Sequence, residues 1–416
     1  MKALVIGGGI AGPVTAMALR KAGIDAAVYE AYGRSAGLEV GAFLTVAVNG
    51  LDALRTLDAH QPVLDAGFPT RTMSFRSGTG RHLGEMPIGG ELADGTMTHT
   101  IRRTDLYRVL HEQAAARGIV TEHGKRLVAA DPLPGSGVTA RFADGTTATA
   151  DLLIGADGIR STVRSIIGPG APAPRWTGVG NTGGFTRAPG LEAAPGTYEM
   201  IVGNRSLLDG LSPGSYEMIF GKRCFFGWTV DPDGEIWWFA NPPSASEPDR
   251  AGRVSAEATK RELLELFAGD DTPAAAIVAA TDEVIPLSGQ WDMPSVPAWH
   301  RGPMVVVGDA AHATSPASGQ GASMAIEDAV VLARCLRDIE PVPAALAAFE
   351  AQRRARVERV VAAGARSSNQ KAPGRFGRVL RDLMMPLFLR RVAGKGNASL
   401  RWMYDHHIEW DERVPA

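Results

Sequence analysis

The first 30 residues carry the feature that most constrains the fold. A short apolar strand, a glycine-rich turn, a helix and a second apolar strand follow one another, at residues 3–6, Gly7-x-Gly9-x-x-Gly12, residues 13–22 and residues 26–29, with Glu30 at the end. Apolar runs of four residues that are bounded by glycines are typical of buried parallel strands. This order predicts a βαβ unit that binds a dinucleotide.

Each position in the turn has a physical role. Gly7 permits the tight turn, Gly9 lets the backbone approach a pyrophosphate, and Gly12 lets helix and strand pack closely. A carboxylate at Glu30 accepts the hydroxyl protons of an adenosine ribose, which favours FAD or NAD over NADP. The predicted contacts of this first motif are Gly7, Gly9, Ile10, Ala11, Gly12 and Glu30.

Two later segments repeat the pattern of a buried strand that ends in a polar turn. Residues 152–154 lead into Asp157-Gly158, and residues 304–307 lead into Gly308-Asp309. A carboxylate after such a strand can bind the hydroxyls of a flavin ribityl chain. A Pro/Gly loop then precedes a helix over residues 322–336, and its free N–H groups favour an anion such as reduced flavin.

These motifs, together with Arg103 in the segment 101–106, resemble the class A flavoprotein monooxygenases, the p-hydroxybenzoate hydroxylase family. The resemblance covers about residues 1–365, and it implies non-covalent FAD with Arg103 and Asp157 contacting the cofactor. It extends the predicted cofactor contacts to Asp309, Pro316, Gly319, Gly321, Ala322 and Ser323. The family often has Asn at the position of Ser323, and the serine hydroxyl reaches less far towards the flavin ring.

The resemblance also implies the reaction. NADH or NADPH, bound only transiently, reduces the flavin, and O₂ adds at flavin C4a to give a hydroperoxide. One oxygen atom then passes to an electron-rich carbon of the substrate. The flavin carries this chemistry, so no side chain is assigned as a catalytic acid or base, and no metal-ligand spacing is present.

The fold class that follows is α/β: a Rossmann-like FAD-binding domain (GR2, p-hydroxybenzoate hydroxylase-like), an antiparallel β-sheet substrate domain and C-terminal helices. The FAD-binding domain is expected at residues 1–75, 98–177 and 280–368, the substrate domain at 76–97 and 178–279, and the helical segment at 369–416. Strand-like runs at residues 180–187, 215–220, 223–230 and 235–241 support the sheet.

Aromatic residues crowd two neighbouring strands of that sheet. Alternation sends some towards a cavity above the flavin and others to the opposite face. The candidates for substrate binding are Phe185, Phe225, Trp228, Trp237 and Phe239. They indicate an apolar aromatic or polycyclic substrate, such as a secondary metabolite that is hydroxylated or epoxidised.

The sequence alone leaves other functions possible. The same fold serves epoxidases whose product cyclises, Baeyer–Villiger-type oxygenases and reductases of the geranylgeranyl type, and a flavin-binding regulator without turnover is a further alternative. Arg160 and Arg164 are either surface residues or nicotinamide contacts, and surface placement is expected for His82, His99, His111 and His123. In the family, the position of His312 is structural.

Composition limits the partners and the compartment. A net charge of −2 does not favour nucleic acid, and no apolar run is long enough to span a membrane. Two cysteines fit a reducing cytoplasm, and a monomer or homodimer is expected. Residues 366–401 contain nine Lys or Arg and one acid, Asp382. This basic stretch either braces the protein or contacts a membrane or partner.

Overall fold

The computed structural model describes residues 1–34, 42–133, 137–187, 191–194, 197–202, 205–206, 214–244, 254–369, 375–394 and 400–415. Its strands are β1 Lys2–Ile6, β2 Asp25–Glu30, β3 Phe43–Val46, β4 Phe68–Pro69, β5 Thr72–Ser77, β6 His82–Pro87, β7 His99–Arg102, β8 Thr121–His123, β9 Leu127–Pro132, β10 Val138–Phe142, β11 Thr147–Ala150, β12 Leu152–Gly155, β13 Arg175–Thr186, β14 Leu191–Ala194, β15 Thr197–Val202, β16 Arg205–Ser206, β17 Ser215–Phe220, β18 Phe225–Val230, β19 Ile236–Asn241, β20 Ser288–Asp292, β21 His300–Arg301 and β22 Met304–Val306. Its α-helices are α1 Ala11–Lys21, α2 Val48–Arg55, α3 Gln61–Ala66, α4 Arg103–Ala116, α5 Thr162–Ile167, α6 Ala256–Phe267, α7 Ala274–Ala280, α8 Asp309–His312, α9 Gly321–Asp338, α10 Val342–Asn369, α11 Arg375–Gly394 and α12 Arg401–Tyr404.

A six-stranded sheet of order β21-β22-β12-β1-β2-β8 forms the first layer. All of its neighbours pair in parallel except β21 and β22. The three motif strands, β22, β12 and β1, are adjacent, so their polar turns meet at one edge of the sheet. Ligands of open parallel sheets bind at this carboxyl edge. The sheet confirms the predicted dinucleotide fold and its buried strands.

Helices α1, α9 and α10 cover the sheet and enclose the main core. Every residue of α9 from Ser323 to Leu336 is buried, and most of these residues are apolar. The buried stretch nevertheless contains Glu327 and Asp328, which are 0% exposed. Buried charges need partners, and the partners of these two acids lie close to the Gly308–Asp309 turn.

A seven-stranded sheet of order β20-β13-β19-β18-β17-β5-β6 forms the second layer. Its neighbours pair antiparallel, as predicted, except β17 and β5, which are parallel. One face packs on α6 and α7 around Trp228 and Trp238. The division of the chain into domains stays a prediction, and this sheet draws its strands from residues 72–87, 175–241 and 288–292.

The hairpin predicted around residues 138–150 is present as β10 and β11, which join β9 in a small sheet. Strand β7 pairs with β3 and β4 and sets Phe43 opposite Arg102. A third small sheet contains β14, β15 and β16. Within the described residues, no helix is both long and apolar enough to cross a bilayer.

The C-terminal part contacts both layers. Helix α11 packs on β6 through Leu389, whose Cδ1 atom would lie 2.9 Å from a Cβ at Gly84. The segment 400–415 lies on the main core, where its three large aromatic residues, Trp402, Tyr404 and Trp410, are partly buried. This arrangement supports the bracing interpretation. Lys371 and Lys395 of the basic stretch lie outside the described residues.

Candidate active site

The glycine turn after β1 leaves room for a ligand at one position only. A Cβ at Gly12 would lie 1.9 Å from the Gly7 carbonyl oxygen, and a Cβ at Gly7 would lie 2.4 Å from the Ala156 oxygen. Both glycines are therefore required by packing, and Gly7 also has a φ of +106°. A Cβ at Gly9 would meet nothing within 4 Å. This open space at the start of α1 fits a pyrophosphate.

Glu30 holds the turn from the end of β2. Its Oε2 atom accepts a hydrogen bond from the Gly8 N–H at 2.5 Å, and its Oε1 atom accepts one from the Tyr32 N–H at 2.9 Å. Each carboxylate oxygen keeps a second lone pair for a ribose hydroxyl. Glu30 therefore positions the loop and remains able to bind the ribose.

Two histidines that were expected on the surface have partners instead. His111, on α4, is half-buried, and its Nε2 atom lies 2.6 Å from the Gly8 carbonyl oxygen. His99 is buried, with Nδ1 2.8 Å from the Met97 oxygen. Burial lowers the pKa of His111, which favours the neutral ring that can donate to Gly8. Tyr107 lies four residues before His111 on the same face of α4, and the two ring centroids are 4.2 Å apart. This spacing was the sequence signal for a packed histidine.

Asp157 follows β12 and caps α5. Its Oδ2 atom accepts hydrogen bonds from the N–H groups of Thr162 at 2.7 Å and Val163 at 3.1 Å. Its Oδ1 atom accepts one from the Ser161 hydroxyl. These bonds assign the carboxylate to the helix N-terminus, where a negative charge is favourable. A direct contact of Asp157 with FAD stays a prediction.

The two arginines after Asp157 separate. Arg164 is 4% exposed, and its guanidinium donates to the carbonyl oxygens of Ala310 at 3.0 Å and Ile159 at 2.7 Å. Arg164 therefore connects α5 to α8. Both interpretations from the sequence, a surface residue or a nicotinamide contact, are wrong for Arg164. Arg160 is exposed and lies over the Trp291 ring at 4.8 Å.

Asp309, which follows β22 at the carboxyl edge of the sheet, lies close enough to Arg103 for their charges to interact. Both residues are exposed, and within the described part of the chain neither side chain makes a hydrogen bond to another residue. Protein surrounds Asp309 on most sides, and this desolvation raises its pKa against the opposing effect of His312 and Arg103. Asp309 can accept hydrogen bonds from hydroxyl groups, and Arg103 can donate to a phosphate. The two side chains therefore fit the ribityl and pyrophosphate parts of FAD.

The turn that presents Asp309 is fixed from behind by Asp328. The Asp328 Oδ2 atom accepts from the Gly308 N–H at 2.9 Å and contacts His312 Nε2 at 2.5 Å. Arg353 Nε donates to the other oxygen of Asp328 at 2.7 Å. His312 is thus buried and structural, as the resemblance implies.

The loop after His312 leads to the start of α9. Ser315 caps the short 3₁₀ turn Pro316–Ser318, and Gly319 follows in the left-handed conformation with φ of +61°. Thr45 of β3 donates to the Gly319 oxygen at 3.3 Å. The first N–H groups of α9, from Gly321 onward, lack intrahelical partners and fit the anionic edge of a flavin.

The side chain of Ser323, a further predicted cofactor residue, makes its contact within the protein. It is fully buried, and its hydroxyl accepts from the Ala47 N–H at 3.0 Å. A Cβ at Gly50 would lie 2.6 Å from this hydroxyl, so the two helices touch here. Ser323 therefore joins α2 to α9, so its hydroxyl is engaged within the protein, and its contact with FAD stays a prediction.

Four aromatic side chains form a wall beside this loop. The Phe43 ring lies 6.3 Å from Phe185, 5.6 Å from Trp237 and 6.1 Å from Phe239, measured between centroids. Phe43 and Thr45 lie two residues apart in β3, so the same strand contacts both the aromatic wall and the Gly319 loop. The wall is defined as Phe43, Phe185, Trp237 and Phe239.

A paired cation borders the aromatic wall. The Arg102 guanidinium lies 4.2 Å from the Phe185 ring centroid and 5.0 Å from that of Trp237. Glu235 accepts hydrogen bonds from Arg102 and, at 2.9 Å, from Trp237 Nε1. The sequence did not single out Phe43, Arg102 or Glu235, because their proximity depends on the β3–β7 pairing.

Two predicted substrate residues lie elsewhere. Trp228 is 0% exposed and packs in the cluster against α6 and α7, on the face opposite the aromatic wall. Phe225 is on the wall side of the sheet but packs in a small core with Leu83 and Phe220. The substrate-binding prediction is wrong for Trp228, and Phe225 supports the wall from the side through Phe239.

A pH effect on stability is expected at His406, in the C-terminal segment. Burial lowers its pKa to about 4, with Arg356 and Arg353 adding to the effect against Glu327. Between pH 6.5 and 4 the unfolded chain therefore binds more protons, and stability falls as the pH drops. From pH 7 to 5, we expect His406→Gln to lose about 1 kcal/mol less unfolding free energy than the wild type, allowing for partial exposure.

Urea unfolding at the two pH values measures this difference. His82→Gln is the control, because His82 is exposed. Equal losses in the wild type and in His406→Gln would contradict the assignment.

The chain matches known flavoproteins over most of its length. A family model described as an FAD binding domain matches residues 1–364. Aurachin C monooxygenase/isomerase from Stigmatella aurantiaca is 32% identical over 361 residues, which cover 86% of this chain and 86% of that protein. An FAD-dependent urate hydroxylase from Mycolicibacterium vanbaalenii is 30% identical over 374 residues, which cover 87% of this chain and 86% of that protein.

A solved structure has a closely similar fold. Klebsiella pneumoniae HpxO complexed with FAD and uric acid superposes with a TM-score of 0.79 at 26% identity, over 96% of each chain. That structure contains FAD, and the open glycine turn, Arg103, Asp309 and the start of α9 are groups that suit such a cofactor. The chain belongs to the class A, p-hydroxybenzoate hydroxylase-like family of FAD-dependent monooxygenases, and its cofactor is FAD.

Proposed function

We propose that this chain uses NADH or NADPH and O₂ to transfer one oxygen atom to an apolar aromatic or polycyclic substrate, such as a secondary metabolite. The observation that carries the proposal is the aromatic wall. Its rings stand beside the Gly319–Gly321 loop, joined to it through β3. A flat apolar substrate can therefore stack on the wall while it faces the flavin position.

Each group of residues has its own role in this proposal. The glycine turn and Arg103 hold the pyrophosphate, and Asp309 orients the ribityl chain. The N-terminus of α9 stabilises negative charge on the reduced ring. FAD, when bound and reduced, supplies the activated oxygen. The aromatic wall orients the substrate ring and excludes water from it.

The charge at the wall bears on the substrate class. Arg102 stands next to two wall rings, but Glu235 already pairs with it. An anionic substrate would have to displace that carboxylate, whereas a neutral ring would not. The wall therefore favours a neutral aromatic over a carboxylate. Neither cysteine forms a disulfide and both are buried, which supports a reducing cytoplasm as the place of action.

The proposal is tested by substrate-dependent oxidation of NADH and NADPH. Neutral phenols, naphthols and quinolones are offered to the FAD-loaded protein under isotopically heavy O₂. We expect faster oxidation with some of them and a product that carries one heavy oxygen atom. Oxidation that yields only H₂O₂ with every compound, or reduction without O₂ uptake, would contradict the proposal.

Replacing wall rings should weaken substrate binding more than stability. Phe185→Leu and Phe239→Leu each remove an aromatic contact of about 0.5–1.5 kcal/mol, so KM should rise about 3- to 10-fold. The matched control is Trp238→Phe, because Trp238 neighbours two wall residues in sequence but packs on the other face. It should lower the melting temperature and leave KM unchanged. An equal rise in KM for all three would remove the wall from the substrate site.

A further inference from the structure

Helix α11 carries an uncovered apolar face. Leu380, Leu383, Met384, Leu387 and Phe388 are 61%, 62%, 52%, 60% and 60% exposed. Their spacing of three and four residues places all five on one side of the helix. They are half of the ten large apolar residues that are exposed in the described part of the chain. The other five are spread over residues 1–133.

The opposite face of α11 fixes the helix to the protein. Leu389 is 2% exposed, and Met385 packs against the Phe220 and Phe225 core. The Arg381 guanidinium lies over the Phe220 ring at 4.4 Å. The orientation of the helix is therefore set by this contact, and the apolar face points away from the body.

Charge is concentrated on the same helix. Residues 375–394 contain five arginines and one acid, Asp382, which gives +4. The whole chain has a net charge of −2, so the other residues together carry −6. Arg390 and Arg391 are exposed and follow the apolar face directly. These two arginines therefore place cationic charge next to the uncovered apolar surface.

We propose that α11 binds the surface of a membrane that contains anionic lipids, with its five-residue apolar face inserted at the boundary of the acyl chains. An apolar face with adjacent arginines is what such a surface recognises. A second copy of this chain would bring an equally cationic helix to the contact, so charge opposes self-association through this face. The helix lies in the interface and does not span it.

Flotation of the FAD-loaded protein with vesicles tests the proposal. The protein should float with vesicles of phosphatidylcholine and phosphatidylglycerol, should float far less with phosphatidylcholine alone, and should detach at high salt. The double variant Leu383→Gln/Leu387→Gln should bind at least about 100-fold more weakly. Arg390→Gln/Arg391→Gln should bind about 30-fold more weakly, and only where anionic lipid is present.

The control is Val120→Gln/Val128→Gln, which changes two exposed apolar residues outside α11, 60% and 55% exposed. This control should float like the wild type. FAD content and melting temperature show that each variant is folded. Absence of flotation with anionic vesicles would overturn the proposal. So would a dimer in light scattering that the Leu383/Leu387 double variant abolishes while vesicle binding is unaffected.

Discussion

A chain with alanine in place of Gly9 is expected to fold normally and to purify with little flavin. The new Cβ meets nothing within 4 Å in the protein, and Gly9 does not have a positive φ, so the backbone tolerates it. The methyl group instead occupies the space of the pyrophosphate and holds it away from the N–H groups of the turn. Loss of one hydrogen bond to a charged group costs about 1.5–3 kcal/mol, so the FAD Kd should rise about 10- to 100-fold.

Gly12→Ala is the matched comparison, with the opposite outcome. Its Cβ would lie 1.9 Å from the Gly7 oxygen, a backbone atom that cannot move independently. The unfolding free energy of the apoprotein should therefore drop by about 1–3 kcal/mol or more. Urea unfolding of both apoproteins, with FAD titration by flavin fluorescence, separates the two effects. Wild-type FAD affinity in Gly9→Ala would contradict the position assigned to the pyrophosphate.

The parallel sheet and its cofactor edge were predictable because their signals are local. The apolar run of β1, the glycine turn and Glu30 lie within 30 residues, and the motif strands β1, β12 and β22 are short, mostly apolar and followed by a turn. Once the three motif strands are neighbours, the convergence of Gly9 and Asp309 follows from parallel pairing. No information from distant parts of the chain is needed for that step.

The substrate side was less predictable because its geometry depends on long-range pairing. Alternation in β18 and β19 predicts two faces, but it does not say which face meets α6 and α7. Trp228 was therefore assigned to the wrong side. The parallel pairing of β5 with β17 and the position of Phe43 depend on contacts between segments more than 100 residues apart. Ser323 illustrates the same limit, since its partner is the distant Ala47.

Arg353→Met is expected to destabilise the protein strongly. Arg353 is 1% exposed and donates to Glu327 Oε2 at 2.5 Å and to Asp328 Oδ1 at 2.7 Å, and both acids are 0% exposed. Methionine fits the volume but leaves part of this buried negative charge uncompensated. Breaking a buried pair in this way costs about 3–5 kcal/mol of unfolding free energy. Because Asp328 also holds the Gly308 N–H, FAD affinity should fall with stability.

The neighbouring Arg354→Met tests whether burial is the cause. Arg354 lies on the same helix and pairs with Glu350 and Glu358, but all three side chains are partly exposed, at 27%, 20% and 35%. Exposed pairs contribute about 0–1 kcal/mol, so Arg354→Met should change stability much less and leave FAD affinity intact. Urea unfolding of both apoproteins, with FAD titration, gives both quantities. Similar losses for the two variants would show that helix packing, and not the buried charge, supports the Gly308–Asp309 turn.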